Sequence, residues 1–258
     1  MLLIFTVQGI MNFIQVGECM SKRLLLIGAS GEIGKAIARD AVKQGYSLIL
    51  HYHSNEQTMK DLVQELPVDT IEAIIQADLT SHKGVQGILE RVAAFTIDAI
   101  VFASGTASYG LFQDCSHKDR ENMLYLHVQA PLEITQALLP AMIREQQGRI
   151  LFITSIWGSV GASNEVLYST VKGAQNSFIR ALSKEMGPSG IYVNGVSPGF
   201  IDTKMNAHIA VEERQAIEDD IPLQRAGTSE EVAHVVSFLL DERSSYIQGE
   251  IIKVTGGW

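Results

Sequence analysis

"RLLLIGASGEIGKAIARDAVKQ", residues 23–44, is the stretch on which the fold turns. Its first part is a short, unbroken apolar run, which is how a strand reads when both faces of a parallel sheet are covered. Its last part carries apolar residues at helical spacing. Between them stands Gly28-Ala29-Ser30-Gly31-Glu32-Ile33-Gly34. Glycines at such a point permit a tight turn and a close approach of backbone to an anion. The N–H groups and positive dipole end of the following helix then face that anion.

The same alternation continues outward. "SLILHY" (47–52), "TIEAIIQA" (70–77), "DAIVFAS" (98–104), "GRILFITS" (148–155), "IYVNGVS" (191–197) and "EIIKVT" (250–255) read as further buried strands. Segments such as "KGVQGILERVAAF" (83–95) and "AQNSFIRALSKEM" (174–186) read as amphipathic helices. Strand and helix in turn imply right-handed crossovers and a doubly wound α/β sheet, a single-domain Rossmann fold with seven parallel strands flanked by helices. In such a sheet ligands bind outside the carboxyl ends of the strands.

Composition agrees with one such domain. Of 258 residues, 46% are hydrophobic and 19% charged, enough for a large core and unlike a disordered chain. The net charge of -9 argues against nucleic acid or an anionic membrane surface as partner. Two cysteines, Cys19 and Cys115, form no disulfide framework, so the expected compartment is the cytoplasm. Residues 1–19 lack the basic start and cleavage site of a targeting segment, and polar residues interrupt their apolar run. Met20 reads as a natural start, so the expected division is an upstream extension, 1–19, and one domain, 20–258.

The strand ends hold the informative side chains. The glycine turn of 28–34 is the expected seat of a pyrophosphate, with the backbone of Gly28, Ser30, Gly31, Ile33 and Gly34 around it. The second strand ends in "LHYHSN", with His51 and His53 where a carboxylate would hydrogen-bond the ribose of NAD. Its absence leaves room for a 2′-phosphate and points to NADP(H). Asp78, after the third strand, is placed either to accept from an adenine amino group or to cap the next helix. No metal-ligand set stands out. Ser155 ends the fifth strand, thirteen residues before Tyr168, and Lys172 follows Tyr168 by four. That interval puts phenol and amine on one helix face. A neighbouring ammonium would draw the phenol below its usual value near 10. Tyr168 could then exchange a proton with a substrate oxygen that Ser155 also holds.

With these residues in view, the chain resembles the short-chain dehydrogenase/reductase family over residues 21–258. The likeness rests on "GASGEIG", "ADL", Ser155, "YSTVK", "VNGVSPGFIDT" (193–203), "IPLQRAGTSEEVAHVVSFLL" (221–240) and the closing "GEIIKVTGGW". It is strongest to the branch of 3-oxoacyl-acyl carrier protein reductases. The resemblance implies reduction of a ketone, a homotetramer, and a catalytic set of Ser155, Tyr168 and Lys172. It places Leu79, Ala103, Ser104, Gly105, Tyr168, Lys172, Pro198, Gly199, Ile201 and Thr203 beside the cofactor, and it makes 204–220 a lid. His127 aligns with the family's asparagine, whose main-chain carbonyl serves a proton relay; histidine would keep that contact and add a titratable group, or simply pack. Three features depart from the pattern. Glu32 replaces a glycine, with Gly31 expected to supply the lost backbone freedom. Gln146 and Ser189 stand where carrier-binding relatives have arginine, although Arg144 and Arg149 are near. In the Gly28-Ala29-Ser30-Gly31 turn, in "LHYH", in His127 and in the missing arginines, the chain also resembles the branch that reduces a 5-aminopentanone group on a lysine of bacterial elongation factor P. A catalytically silent dinucleotide-binding regulator is the reading from another class.

Overall fold

The computed structural model describes residues 22–207 and 209–258; the expected extension 1–19 lies outside them. Seven strands form one sheet: β1 (Arg23–Ile27), β2 (Ser47–Tyr52), β3 (Ile71–Gln76), β4 (Ala99–Phe102), β5 (Gly148–Ile153), β6 (Ile191–Pro198) and β7 (Ile251–Val254). All neighbours are parallel, in the order β3-β2-β1-β4-β5-β6-β7. The order reverses between β1 and β4, so the cleft opens above the carboxyl ends of those two strands.

Strand pleating explains why β1 is apolar throughout. Leu24 and Leu26 face one layer with Ile37 of α1 (Glu32–Lys43) and Val236 of α9 (Ser229–Leu240). Leu25 and Ile27 face the other, with Ile88 of α3 (His82–Val92), Ile134 of α5 (Ala130–Glu145) and Ile179 of α7 (Val166–Met186). Every β1 residue from Leu24 to Ile27 is fully buried. At about 25 cal/mol per Å², a fully buried leucine or isoleucine contributes roughly 1.5–3 kcal/mol. α9 starts on a capping box in which Thr228 and Glu231 satisfy each other's backbone N–H groups.

One helix is irregular where it matters. α4 (His117–Leu124) runs into α5 through a π turn, Tyr125–Gln129. Pro131 has no N–H to offer the carbonyl of His127 four residues back, so the regular ladder cannot close there. The remaining helices are α2 (Glu56–Glu65), the short α6 (Trp157–Val160) and α8 (Val211–Asp220).

Candidate active site

The glycine turn is shaped by contacts that exclude side chains. Gly28 has φ +91, and a Cβ there would lie 2.5 Å from the backbone nitrogen of Ser104. A Cβ on Gly34 would lie 2.2 Å from the carbonyl oxygen of Gly28. Both would collide with backbone, so the turn and the start of α1 pack only as glycine. Gly31, at φ -73, needs no such freedom and caps α1 without a side-chain hydrogen bond. That leaves the first-turn N–H groups for a ligand. The exchange of glycine for Glu32 is therefore harmless to the turn. Its side chain leaves the turn and accepts from Lys204 N at 2.6 Å, tying the segment after β6 to the start of α1.

A cleft of about 650 Å³ opens over this turn. Gly28, Ser30, Gly31, Ile33 and Gly34 line it, as do His51, Asp78, Leu79, Ala103, Ser104, Gly105 and Thr203. Tyr168, Lys172, Pro198, Gly199 and Ile201 are not among its lining residues: Lys172 is buried behind the wall, Pro198 closes β6 against β7, and Ile201 bridges Gly227. A glycine cradle that a Cβ would fill, uncapped helix N–H groups and a cleft of this extent fit a dinucleotide.

His51 sits differently from the expectation of a solvated strand end. It is 2% exposed, accepts from Gly28 N at Nδ1 (3.2 Å), and its Nε2 meets the carbonyl of Ala77 at 3.1 Å. It braces the turn from behind. Burial brings it down to about 4, with His53 pushing the same way. The residues facing the cleft beyond β2 are His53, Asn55 and Thr58, together with Lys35 from α1; the sequence reading missed the last three. Asp78 accepts from the N–H and hydroxyl of Thr80 and so shapes a turn, while Ser81 caps α3.

Ser155 and Tyr168 lie close together. Ser155 is buried, its hydroxyl accepts from Trp157 N at 3.2 Å, and it acts on the phenol of Tyr168. The expected effect of Lys172 on that phenol is absent. Burial raises Tyr168 to about 12, opposed by the Ser155 hydrogen bond and reinforced by Glu165. Burial draws Lys172 itself down to about 7. Its Nζ donates to Ile153 O at 2.9 Å and to Gln175 Oε1 at 3.3 Å, and lies 5.5 Å from the centre of the Tyr168 ring.

His127 is fully buried, its ring edge-on to Tyr168 at 5.9 Å. Its Nε2 lies 3.0 Å from the carbonyl of Thr106 and 3.3 Å from that residue's N–H, and its carbonyl accepts from Gln175 Nε2 at 2.7 Å. Burial first, and then Lys172, hold the ring down at about 3. The ring is packed and held neutral, and its carbonyl is engaged by Gln175.

The two buried neutral histidines contribute to acid sensitivity. Each folded value lies below the unfolded 6.5, so between about pH 6.5 and 4 the unfolded chain binds protons that the folded one does not. Stability should fall as pH falls through that window. In urea titrations at pH 6.5 and 4.5, His127→Asn should lose less than the parent; equal losses would contradict the assignment.

A further wall is aromatic. Trp157, two residues past Ser155, meets the last residue, Trp258, edge-on at 5.2 Å, and Trp258 Nε1 donates to Asp220 at the end of α8.

A family model described as "Enoyl-(Acyl carrier protein) reductase" matches residues 28–258. The "Uncharacterized oxidoreductase YmfI" of Bacillus subtilis is 43% identical over 241 residues, 93% of this chain and 99% of that one. The chain belongs to the short-chain dehydrogenase/reductase family. As such it is an oxidoreductase. The 3-oxoacyl-[acyl-carrier-protein] reductase FabG of Aquifex aeolicus is another relative in the family, 35% identical over 244 residues, 93% of this chain and 98% of its own. Among solved structures, a putative NAD(P) dependent gluconate 5-dehydrogenase from Beutenbergia cavernae with bound NADP superposes with a TM-score of 0.86. Its identity is 27%, over 92% of this chain and 96% of that one.

Proposed function

We propose that the protein is an NADPH-dependent reductase that converts a ketone to a secondary alcohol, with a 3-oxoacyl group as substrate. The observation that carries this reading is Tyr168, with Ser155 and Lys172 beside it, packed against Met123 of the wall of a dinucleotide-sized cleft. A bound nicotinamide would supply the hydride. Two hydroxyl donors converging on one point suit an oxygen on which negative charge develops, which favours C=O over the C=C named by the family description. Tyr168 gives that oxygen its proton, and Ser155 holds the oxygen in place. Gly28, Ser30 and Gly31 would hold the pyrophosphate; Lys35, His53, Asn55 and Thr58 would border the 2′-phosphate. The silent-regulator reading finds no support in an intact set of this kind. The exposed Leu124, Leu132 and Ile143 on α4 and α5 leave apolar surface for association with further copies.

The cofactor preference is testable. NADPH should exceed NADH in kcat/KM by at least about tenfold, since His53, Asn55 and Thr58, which border the cleft after β2, carry no carboxylate, and Asp78, 3.8 Å from His53, faces that imidazole. His53→Asp should move the ratio towards NADH. Comparable values for both cofactors in the parent would contradict the reading.

Substrate delivery is the finer question. Gln146 and Ser189 stand just before β5 and β6, at the amino ends of the strands and opposite Ser155. A carrier protein seated there would not border this chain's own cleft. Arg149 is no substitute: it is 9% exposed, donates to Leu239 O and stacks on Tyr192 at 4.8 Å. Charge pairing of the kind that sets on-rate for an acidic carrier is therefore weak. Asp114 and Asp119, beside the main cleft in a smaller cavity of about 160 Å³, favour a second reading: an amine-bearing ketone such as the 5-aminopentanone on elongation factor P. The deciding measurement compares kcat/KM for carrier-bound and small-thioester forms of one 3-oxoacyl group. We expect a difference within about tenfold. A carrier preference above about a hundredfold would fix the first reading. Poor turnover of both, with reduction of the modified elongation factor seen by mass spectrometry, would replace it with the second.

A further inference from the structure

Behind the reactive pair lies a buried side chain that the family motifs do not include. Gln175 is 5% exposed and sits one helical turn past Lys172 on α7. Its amide has a single satisfactory orientation. Oε1 accepts from Lys172 Nζ at 3.3 Å, and Nε2 donates to the carbonyl of His127 at 2.7 Å. Turning the amide over would set two donors, and then two acceptors, against each other. The shorter of these bonds ends on the carbonyl beside the π turn, where Pro131 cannot supply the usual helical donor.

We propose that Gln175 is a positioning residue for the reductase reaction: it clamps the Lys172 ammonium between the π turn and the end of β5, and holds it charged beside Tyr168. The proposal rests on the reading of Lys172 as part of the active site. The physical need is plain. Lys172 is buried, and burial alone favours the neutral amine. The polar groups around it are Tyr168 on its own helix, Ser155 at the end of β5 and His127 in the π turn; Glu165 acts on Tyr168. Among the described residues no carboxylate forms a salt bridge with Lys172, so carbonyl oxygens are what keep a proton on it. Of its two acceptors, Ile153 O belongs to a strand and is fixed, whereas Gln175 Oε1 is supplied by a side chain and is the adjustable one. An amide is neither an acid nor a base near neutrality, so it holds the ammonium without taking its proton.

The test reads the lysine directly, by 13C NMR of protein labelled at lysine Cε, with Lys172 assigned through its loss in Lys172→Arg. Gln175→Leu removes the acceptor, and the Lys172 titration midpoint should drop by about one pH unit. Gln175→Glu places a carboxylate there, and the midpoint should rise by at least as much. Opposite shifts from two changes at one position are not what a mere packing defect gives. A measurement on the parent needs no variant: the Gln175 side-chain amide resonance should titrate with the same midpoint as Lys172. In turnover, Gln175→Leu should lower kcat about tenfold while KM for the cofactor stays within about threefold. An unmoved lysine in both folded variants, or a Gln175 amide that ignores the lysine titration, overturns the proposal. If the parent reduces no ketone, the reading of the reaction fails, but the NMR midpoints still decide what Gln175 does.

Discussion

Tyr168→Phe should lose turnover by roughly 10²–10⁴-fold while binding the cofactor as the parent does. The substitution keeps the ring, its edge-on contact with His127 and its packing against Met123, Leu167 and Val171. Only the hydroxyl goes, and with it the proton donor and the partner of Ser155. The phenol in the free site is raised to about 12, so below that pH it is a donor, as ketone reduction requires. Stopped-flow turnover alongside equilibrium titration of NADPH separates the two effects. A variant retaining a tenth of the parent rate at unchanged affinity would remove Tyr168 from the chemistry.

Lys172→Met should be as damaging to the reaction, with at least about a hundredfold loss of kcat, and should change how stability depends on pH. Lys172 is 3% exposed and its folded value is about 7, against roughly 10.4 in an unfolded chain. Between those values the unfolded chain binds a proton that the folded chain does not, so stability rises with pH across the window. Below pH 7 both forms are protonated and the cost of burying the charge is borne in full. Tyr46, Tyr125 and Tyr168, each raised to about 12, act with the opposite sign, but only above pH 10. Denaturant midpoints at pH 7.5 and 9.5 should therefore diverge in the parent and come together in Lys172→Met. Identical slopes in the two proteins would mean that the amine is solvated.

The sheet was legible because both of its faces are covered: a strand such as Leu24–Ile27 must then be apolar at every position, and length and glycine punctuation separate it from a helix. That uniformity hides which way each residue points. His51, at the end of an equally buried strand, could not be read as facing inward until Gly28 and Ala77 were seen to hold it. Ser155, Tyr168 and Lys172 were legible because a strand end and a four-residue interval fix relative position locally. Gln175 was not, since a glutamine in "KGAQNSF" reads as a solvent-facing helix residue. Its partners become visible only when the π turn of a different helix is in place. The bond from Glu32 to Lys204 spans 172 residues and leaves no local trace. Glu32 read as an awkward loss of glycine, whereas its side chain links α1 to the segment after β6.

The contact between Trp157 and Trp258 has an optical consequence. These are the chain's only two tryptophans: Trp157 donates its backbone N–H to Ser155 Oγ, and Trp258 is bonded to the end of α8. All indole emission of the protein therefore originates within one small region. There is no background from a distant fluorophore of the same kind to subtract. An edge-on pair at 5.2 Å also couples excitonically, so the near-ultraviolet circular dichroism of the pair reports their mutual angle while emission intensity reports their surroundings. Reduced nicotinamide absorbs where indole emits, which makes energy transfer from this pair a gauge of cofactor arrival. A displacement of α8 that draws Trp258 away from Trp157 changes the dichroism, whereas energy transfer follows occupancy by the cofactor. Arrival of the cofactor and movement of α8 are thus distinct signals from the unmodified protein.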